Sequence, residues 1–327
     1  WERNVLEEVA YRTEILTSRD GTEQRIAQRV NPRYSFNFDV RAGHARAAEL
    51  ERLLGKRQAS NYRFAHPRAS TLSERGHPAA AGFTGRIDGE VQATARTDRV
   101  LDAQLRVAVN PGVYPGDYMV GYTHPAADTS HEGLEVFTLR PNWAEPVRLN
   151  FAQFTEILDR QRGVTGFNAP RKFTDRVIQF GLMIRNEGQE NRIRGVFERA
   201  RGQQGEFYMV DPLSAQFAPV ASISAGALSL SIPGRAVADR FASEGIYRNI
   251  AIRTTSGMIY RRVTSISVVS GNSGVNVTPA LPAIAASEII GIHWLLKVRF
   301  AADTLVFSWE TDAVARMTIN VRPLEDI

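Results

Sequence analysis

The chain of 327 residues contains no cysteine, which excludes disulfide scaffolds and thiolate metal sites together. Lysine is nearly absent as well, 3 residues against 37 arginines. No apolar run approaches the roughly 18 to 20 residues that a helical membrane span needs, so no such span is expected. The six histidines, at 44, 66, 77, 124, 131 and 293, show no i, i+4 pairing of a zinc helix. A five-residue Gly-x-Ser-x-Gly turn, a phosphate-cradling glycine loop ahead of a helix and the acid spacing of a calcium loop are all missing. The expectation is a protein with no catalytic residue, no cofactor and no metal.

The weaker candidates read as structure. His124, Asp128 and His131 come nearest to a ligand cluster, but polar side chains of a loop explain them without a metal. Gly271, Asn272, Ser273 and Gly274 read as a hairpin turn. Asp20 and Glu23 near Glu14 could pair as carboxylates. In the alignment of the chain with itself that sets Trp1 on Trp143, Asp20 and Glu23 fall on Arg162 and Thr165, which removes a shared role. Trp1 and Trp143 are expected to anchor a core or an interface, and Trp309, alternating with Leu305 and Phe307, to be core.

The net charge of +5 and a pI near 9.7 raise the question of a nucleic-acid partner. The distribution argues against one, because the arginines are scattered among 35 carboxylates. The densest group is Arg192, Arg194, Arg199 and Arg201. Glu190 and Glu198 sit on the same predicted helix, which gives a solvated or partner-facing helix face.

What the chain does have is an internal echo. In Arg33–Pro67, Tyr34, Phe36, Phe38 and Val40 alternate with polar residues as a strand with one buried face does. Ala47, Leu50, Leu53 and Leu54 then form one helical stripe, closed by Gly55. Tyr62 and Phe64 alternate in a second short strand ending at Pro67. The alignment of Trp1 on Trp143 matches eleven of the first forty positions, including Thr13-Glu14-Ile15-Leu16 against Thr155-Glu156-Ile157-Leu158. Unrelated sequence would match at roughly two or three. Leu50, Leu53 and Leu54 correspond to Ile193, Val196 and Phe197, Tyr62–Pro67 to Phe207–Pro212, and Phe137–Pro141 to Ile319–Pro323.

Two copies of one module are therefore expected, 1–142 and 143–327, the second with an inserted small β domain at about 213–297. Val5–Leu16 is compatible with an amphipathic helix or an extended arm, and Arg68–Pro78 reads as a loop. Short strands are expected at Val91–Ala95, Leu101–Val109, Tyr118–Tyr122 and Leu134–Leu139. The insertion reads as strands at Ala227–Ile232, Tyr247–Arg253, Met258–Val269 and Gly274–Thr278, enough for a small barrel or sandwich. Leu305–Trp309 and Met317–Val321 form a last hairpin around Thr311 and Asp312. The chain opens on Trp1 rather than methionine, which leaves a removed leader open.

The strand Tyr34–Val40, helix Ala45–Leu54 and strand Asn61–Phe64, ending at His66 and Pro67, resemble the barrel core of distal tail proteins of long-tailed bacteriophages and gene transfer agents. The opening is similar to phage tail-tip proteins through Thr13–Leu16, Asp20–Arg25 and Pro32-Arg33, and so is the ending through Val298–Leu305. The resemblance implies a mainly β fold: two tube-like barrel modules, each with one helix, plus the inserted small barrel. It implies a non-enzymatic structural protein of the virion tail tip or baseplate, assembled in the host cytoplasm. Its partners would be itself, the tail tube protein, and hub, spike or fibre proteins. Family members carry one core with an appended domain, whereas this chain reads as two cores, so both distal ring and hub stay open. Between a six-fold tube and a three-fold spike, a homotrimeric ring is expected, or a homohexamer if each chain contributes one module. The rival reading is a surface-recognition protein, a glycan-binding adhesin using Phe217, Phe241, Tyr247, Tyr260 and Trp294. A glycan-cleaving enzyme would need a carboxylate pair, and the insertion offers only Asp239, Glu244 and Glu288.

Overall fold

Alternation of buried and less buried positions marks several of the strands. Along the last strand, Ala315, Met317, Ile319 and Val321 are buried while Arg316, Thr318, Asn320 and Arg322 point away. The computed structural model describes residues 5–54, 61–65, 82–89, 91–97, 100–110, 127, 129–153, 156–159, 165–168, 174–213, 222–242, 245–311 and 313–325. It is mainly β, 57% strand against 12% helix. The first part contains β1 (Val5–Ala10), β2 (Thr13–Thr17), β3 (Glu23–Ala27), β4 (Arg33–Gly43), α1 (His44–Leu54), β5 (Tyr62–Phe64), β6 (Phe83–Ile87), β7 (Gln92–Thr97), β8 (Val100–Val109), β9 (Ser130–His131) and β10 (Leu134–Phe137). Then follow β11 (Arg148–Ala152), β12 (Glu156–Asp159), β13 (Thr165–Asn168), β14 (Asp175–Ile184), α2 (Glu187–Ala200) and β15 (Phe207–Val210). The remainder is β16 (Ala227–Ile232), α3 (Ala236–Phe241), β17 (Asn249–Thr254), β18 (Gly257–Val269), β19 (Asn272–Leu281), β20 (Ile289–Phe300), β21 (Thr304–Trp309) and β22 (Ala315–Pro323). Val5–Leu16 is thus extended, in β1 and β2, and not a helix.

Hydrogen bonding links eighteen of these strands. Through the middle of the network runs an antiparallel sheet in the order β11-β14-β22-β21-β1-β4-β8-β7. It contains the same four-strand order twice, β11-β14-β22-β21 and β1-β4-β8-β7, joined where β21 meets β1. The registers agree residue by residue. Leu6 faces Asn37 and Arg148 faces Gln179, and both residues of the second pair are the aligned counterparts of those in the first. Glu14 faces Ile26 in the separate hairpin β2–β3, and Glu156 faces Asn168 in β12–β13. Phe38 faces Leu105 and Phe180 faces Ile319; Arg86 faces Ala108 and Arg299 faces Arg322; Tyr62 faces Gly85 and Phe207 faces Val298. A helix follows the long strand in both parts. α2 is capped by the Asn186 side chain, which accepts from the Gln189 N–H, and stops at Arg201 in the left-handed region (φ 52°).

Several expectations need correction. On β4, the place that β22 holds on β14 belongs to β8, so Phe137–Pro141 is not the counterpart of Ile319–Pro323. Phe137 lies in β10, which runs parallel to β15; alternating apolar residues and a shared Arg-Pro matched the two segments, and hydrogen-bond partners separate them. The sheets are open, and no closed barrel is found among the described residues. The insertion is an open antiparallel sheet, β16-β19-β18-β17, continued onto β20. One long strand serves both regions: β20 pairs with β17 over its first half and with β15 from Leu295. α3 has no counterpart among the expected elements, because a helix that short cannot show a period. Gly55, Arg68–Pro78 and Tyr118–Tyr122 lie outside the described residues, as does the Leu53 side chain.

The core is continuous across both parts and includes Phe36, Phe38, Ile178, Phe180, Phe197, Phe207, Phe300 and Phe307. Phe197 packs edge-on against Tyr11 and Phe300, with ring centroids 5.7 and 5.1 Å apart. An unpaired carboxylate there costs several kcal/mol, on the scale of a domain's whole stability. Phe197→Asp is expected to abolish the cooperative thermal transition, and a wild-type melt would refute the placement of α2.

Candidate functional site: the seam between the two sheet halves

Among the described residues, no group of His, Asp or Glu side chains converges to hold a metal ion. His131 is buried and its Nε2 lies 2.8 Å from Asn249 Oδ1, while His124 and Asp128 lie outside the described residues. His293 is half-buried, and burial, reinforced by Arg140 and Arg253, pushes its pKa below the ordinary value. Asp211 shifts upward through burial, against the pull of Arg176. Asp20 closes its own turn by accepting from the Thr22 N–H at 3.0 Å. Ser273 is fully buried, donating to the Gly234 carbonyl at 2.7 Å and accepting from the Ala238 N–H at 3.0 Å. The turn itself is Ser270-Gly271, both at positive φ as a two-residue hairpin requires. Trp309 is core, whereas Trp143 is 63% exposed. An open cleft of about 300 Å³ is lined by Thr138, Leu139, Arg140, Leu182, Met183, Ile184 and Gln189, a set without a carboxylate or hydroxyl pair poised for acid–base work.

The dense polar chemistry lies where the first half of the central sheet meets the second. Val5, Glu7 and Val9 share the buried face of β1, so Glu7 is driven inside by the period of its own strand. There it accepts from Arg194 Nη2 at 2.7 Å and from Trp309 Nε1 at 3.0 Å. Arg194 Nε donates to Glu190 at 3.1 Å, and its guanidinium lies 4.1 Å over the Phe307 ring. Glu190 and Arg194 therefore belong to the core and not to a solvated helix face, which corrects the reading of that charge group for these two residues. Across β21–β1, one strand and one helix are keyed to each other by a charge that has no exit to water.

A second ionic group pins the hairpin β2–β3 onto β20, β22 and β15. Arg299, itself buried, holds Glu23 through two bonds of 2.9 Å, and Arg322 adds a third contact at 2.9 Å. Burial pushes the Glu23 carboxyl up, but the Arg299 hydrogen bonds and the charges of Arg299, Arg322 and Arg25 outweigh it and hold it below the usual range. Arg25 donates to the Gln204 carbonyl at 3.0 Å and pairs with Glu206, which also binds Lys297 at 2.9 Å. Asp303 accepts from the Thr13 N–H and hydroxyl and from the Gln203 N–H. The arrangement can hold two sheet halves in one orientation. The sequence does not single out Glu7, because Glu8 alternates with Leu6 and Ala10 just as Glu7 does with Val5 and Val9, and it does not disclose a partner on a helix of the other half. No family model and no curated protein matches the chain.

Removing Glu7 alone leaves a buried guanidinium with less compensation, so Glu7→Ala is expected to cost about 3–5 kcal/mol in denaturant unfolding. The triple variant Glu7→Leu/Glu190→Gln/Arg194→Met, which removes all three buried charges together, should recover most of that loss. Equal losses for the single and triple variants would show that the ion group is not the cause. For Glu23 the folded pKa lies below the unfolded one, so its contribution is complete above the unfolded carboxylate range and is lost as pH falls through the folded value. The stability difference between wild type and Glu23→Gln should therefore shrink from about pH 5 downward; a difference constant with pH would contradict the assignment.

Proposed function

We propose that the chain is a structural component of a phage-type tail tip or baseplate, a ring-forming part that links the end of a tube to hub, spike or fibre proteins. The observation that supports this most is the repeated four-strand order with its matching registers. Two like modules in tandem, 1–142 and 143–327, offer two like surfaces per chain. Three chains then offer six, which suits a tube-like ring on one side. The insertion at about 213–297 belongs to one module of each pair and breaks that likeness to three-fold on the other side. A homotrimer is the reading, with a homohexamer as the second stoichiometry.

The seam fits permanent assembly better than turnover. Its arginines are spent on forked carboxylate contacts that fix orientation. The glycan-binding alternative draws less support. Phe241, Tyr247 and Trp294 of the insertion pack against one another edge-on or tilted, with centroids 4.5 to 5.2 Å apart, and Trp294 is only 2% exposed. Those rings fill a core and form no open platform for a sugar.

Light scattering on the purified protein should give three times the chain mass, and class-averaged images of particles carrying it should place it on the tail axis. A particle map with this chain in one copy, or off the axis, would refute the proposal.

A further inference from the structure

The repeated order leaves two ends. Among the described residues no strand pairs with the outer edge of β11 or of β7, the two limits of the eight-strand sheet. Their counterparts are β1 and β21, and those two strands pair with each other. β1 maps to β11 through the alignment of the two parts, which sets Leu6 on Arg148. β21 maps to β7 through shared partners: Ala95 faces Leu101 as Trp309 faces Ala315, and Leu101 and Ala315 face Ala42 and Ile184, which are themselves aligned counterparts. We infer that β11 of one copy pairs antiparallel with β7 of a second copy, in the register that the β1–β21 junction dictates. Val5 faces Trp309 and Val9 faces Leu305, so Val147 should face Ala95, Leu149 should face Ala93, and Phe151 should face Val91.

The side chains agree with this register. Leu149 lies opposite the buried Ile178 across β11–β14, and Ala93 lies opposite the buried Ala103 across β7–β8. The three apolar residues of each edge therefore share the core-facing side, while Arg148, Asn150, Gln92 and Thr94 face the other way. Val9 is 1% exposed because β21 covers it, whereas its counterpart Phe151 is 62% exposed. An exposed, alternating edge without Lys or Pro invites another strand. The register shift in β7 falls between Ala95 and Thr97, beyond the paired run. At the in-chain junction the central inward residue is Glu7, matched by Arg194; its counterpart is Leu149, and the residues facing it are alanines. The two junctions thus differ in chemistry, polar within a chain and apolar between copies, which keeps an edge from choosing the wrong neighbour. Joining unlike edges head to tail is a heterologous contact, which closes into a ring or runs on as a filament. The inference rests on the ring reading only in taking the partner to be a second copy.

The natural absence of cysteine makes the test direct. Chains carrying Val91→Cys are mixed with chains carrying Phe151→Cys and oxidised; disulfide-linked pairs of unlike chains are expected, and neither variant alone should link. Ala93→Cys with Leu149→Cys should behave alike, and Ala93→Cys with Asn150→Cys should link on the order of tenfold less, since a one-residue slip turns a side chain to the opposite face. Val9→Cys/Leu305→Cys within one chain, the counterpart of the 91–151 pair, calibrates the geometry. If that control links and the unlike chains do not, the pairing is wrong, whether the protein is then a ring or a monomer. Self-linking of Val91→Cys chains would also overturn it. Linked product from Val91→Cys/Phe151→Cys chains that stops at a fixed number supports pairing and ring together. An unbounded ladder of product upholds the pairing and removes the ring.

Discussion

A strand buried on one face still carries hydrogen-bonding groups along both edges, and the architecture follows from where those edges are satisfied. β1 is the pivotal case. Its first edge is met by β4 from its own half and its second by β21, from the opposite end of the chain. That junction makes one sheet of two halves and allows a single core to run through both. Displacing β1 by one residue would turn Val5 and Val9 outward and carry Glu7 away from Arg194 and Trp309. Register and ion group therefore specify the same alignment by independent means.

The polar groups at this junction contribute orientation more than cohesion. Burying a carboxylate and a guanidinium offsets most of their mutual attraction, so the net stabilisation comes from the surrounding apolar surface. What the ions add is intolerance of error: any other docking of α2 on β1 leaves a charge without its partner. The Glu23 group acts likewise for the β2–β3 hairpin, using Arg299 and Arg322 on two adjacent strands as a fork. Arginine in place of lysine suits both positions, because a planar guanidinium can bond and stack at once, as Arg194 does over Phe307.

The insertion shows how a sheet can be enlarged without a new domain boundary. β20 is long enough to begin in the inserted sheet and end in the central network, so the two share backbone hydrogen bonds along one strand. Phe241 and Tyr247 of the insertion pack against Trp294 of that strand. A ligand platform would need the same rings turned to solvent.

The sequence by itself determined those elements whose residues carry a clear period. Period two in Tyr34–Val40 and Met317–Val321, period 3.6 in the stripe ending at Phe197, and the echo of Thr13–Leu16 in Thr155–Leu158 are local patterns, and a local pattern survives in the chain whatever packs on it. Tertiary structure alone decided the partners. Whether Val5–Leu16 was helix or strand turned on β4 and β21 being available to pair. Phe137–Pro141 looked like Ile319–Pro323 because both alternate and both end in Arg-Pro, yet β10 joined β15 and β8 took the matching place. The insertion looked self-contained because nothing in its residues discloses that β20 is shared. Pairing is a relation between distant segments, and a one-dimensional pattern records which face of a strand is buried but not which strand lies beside it.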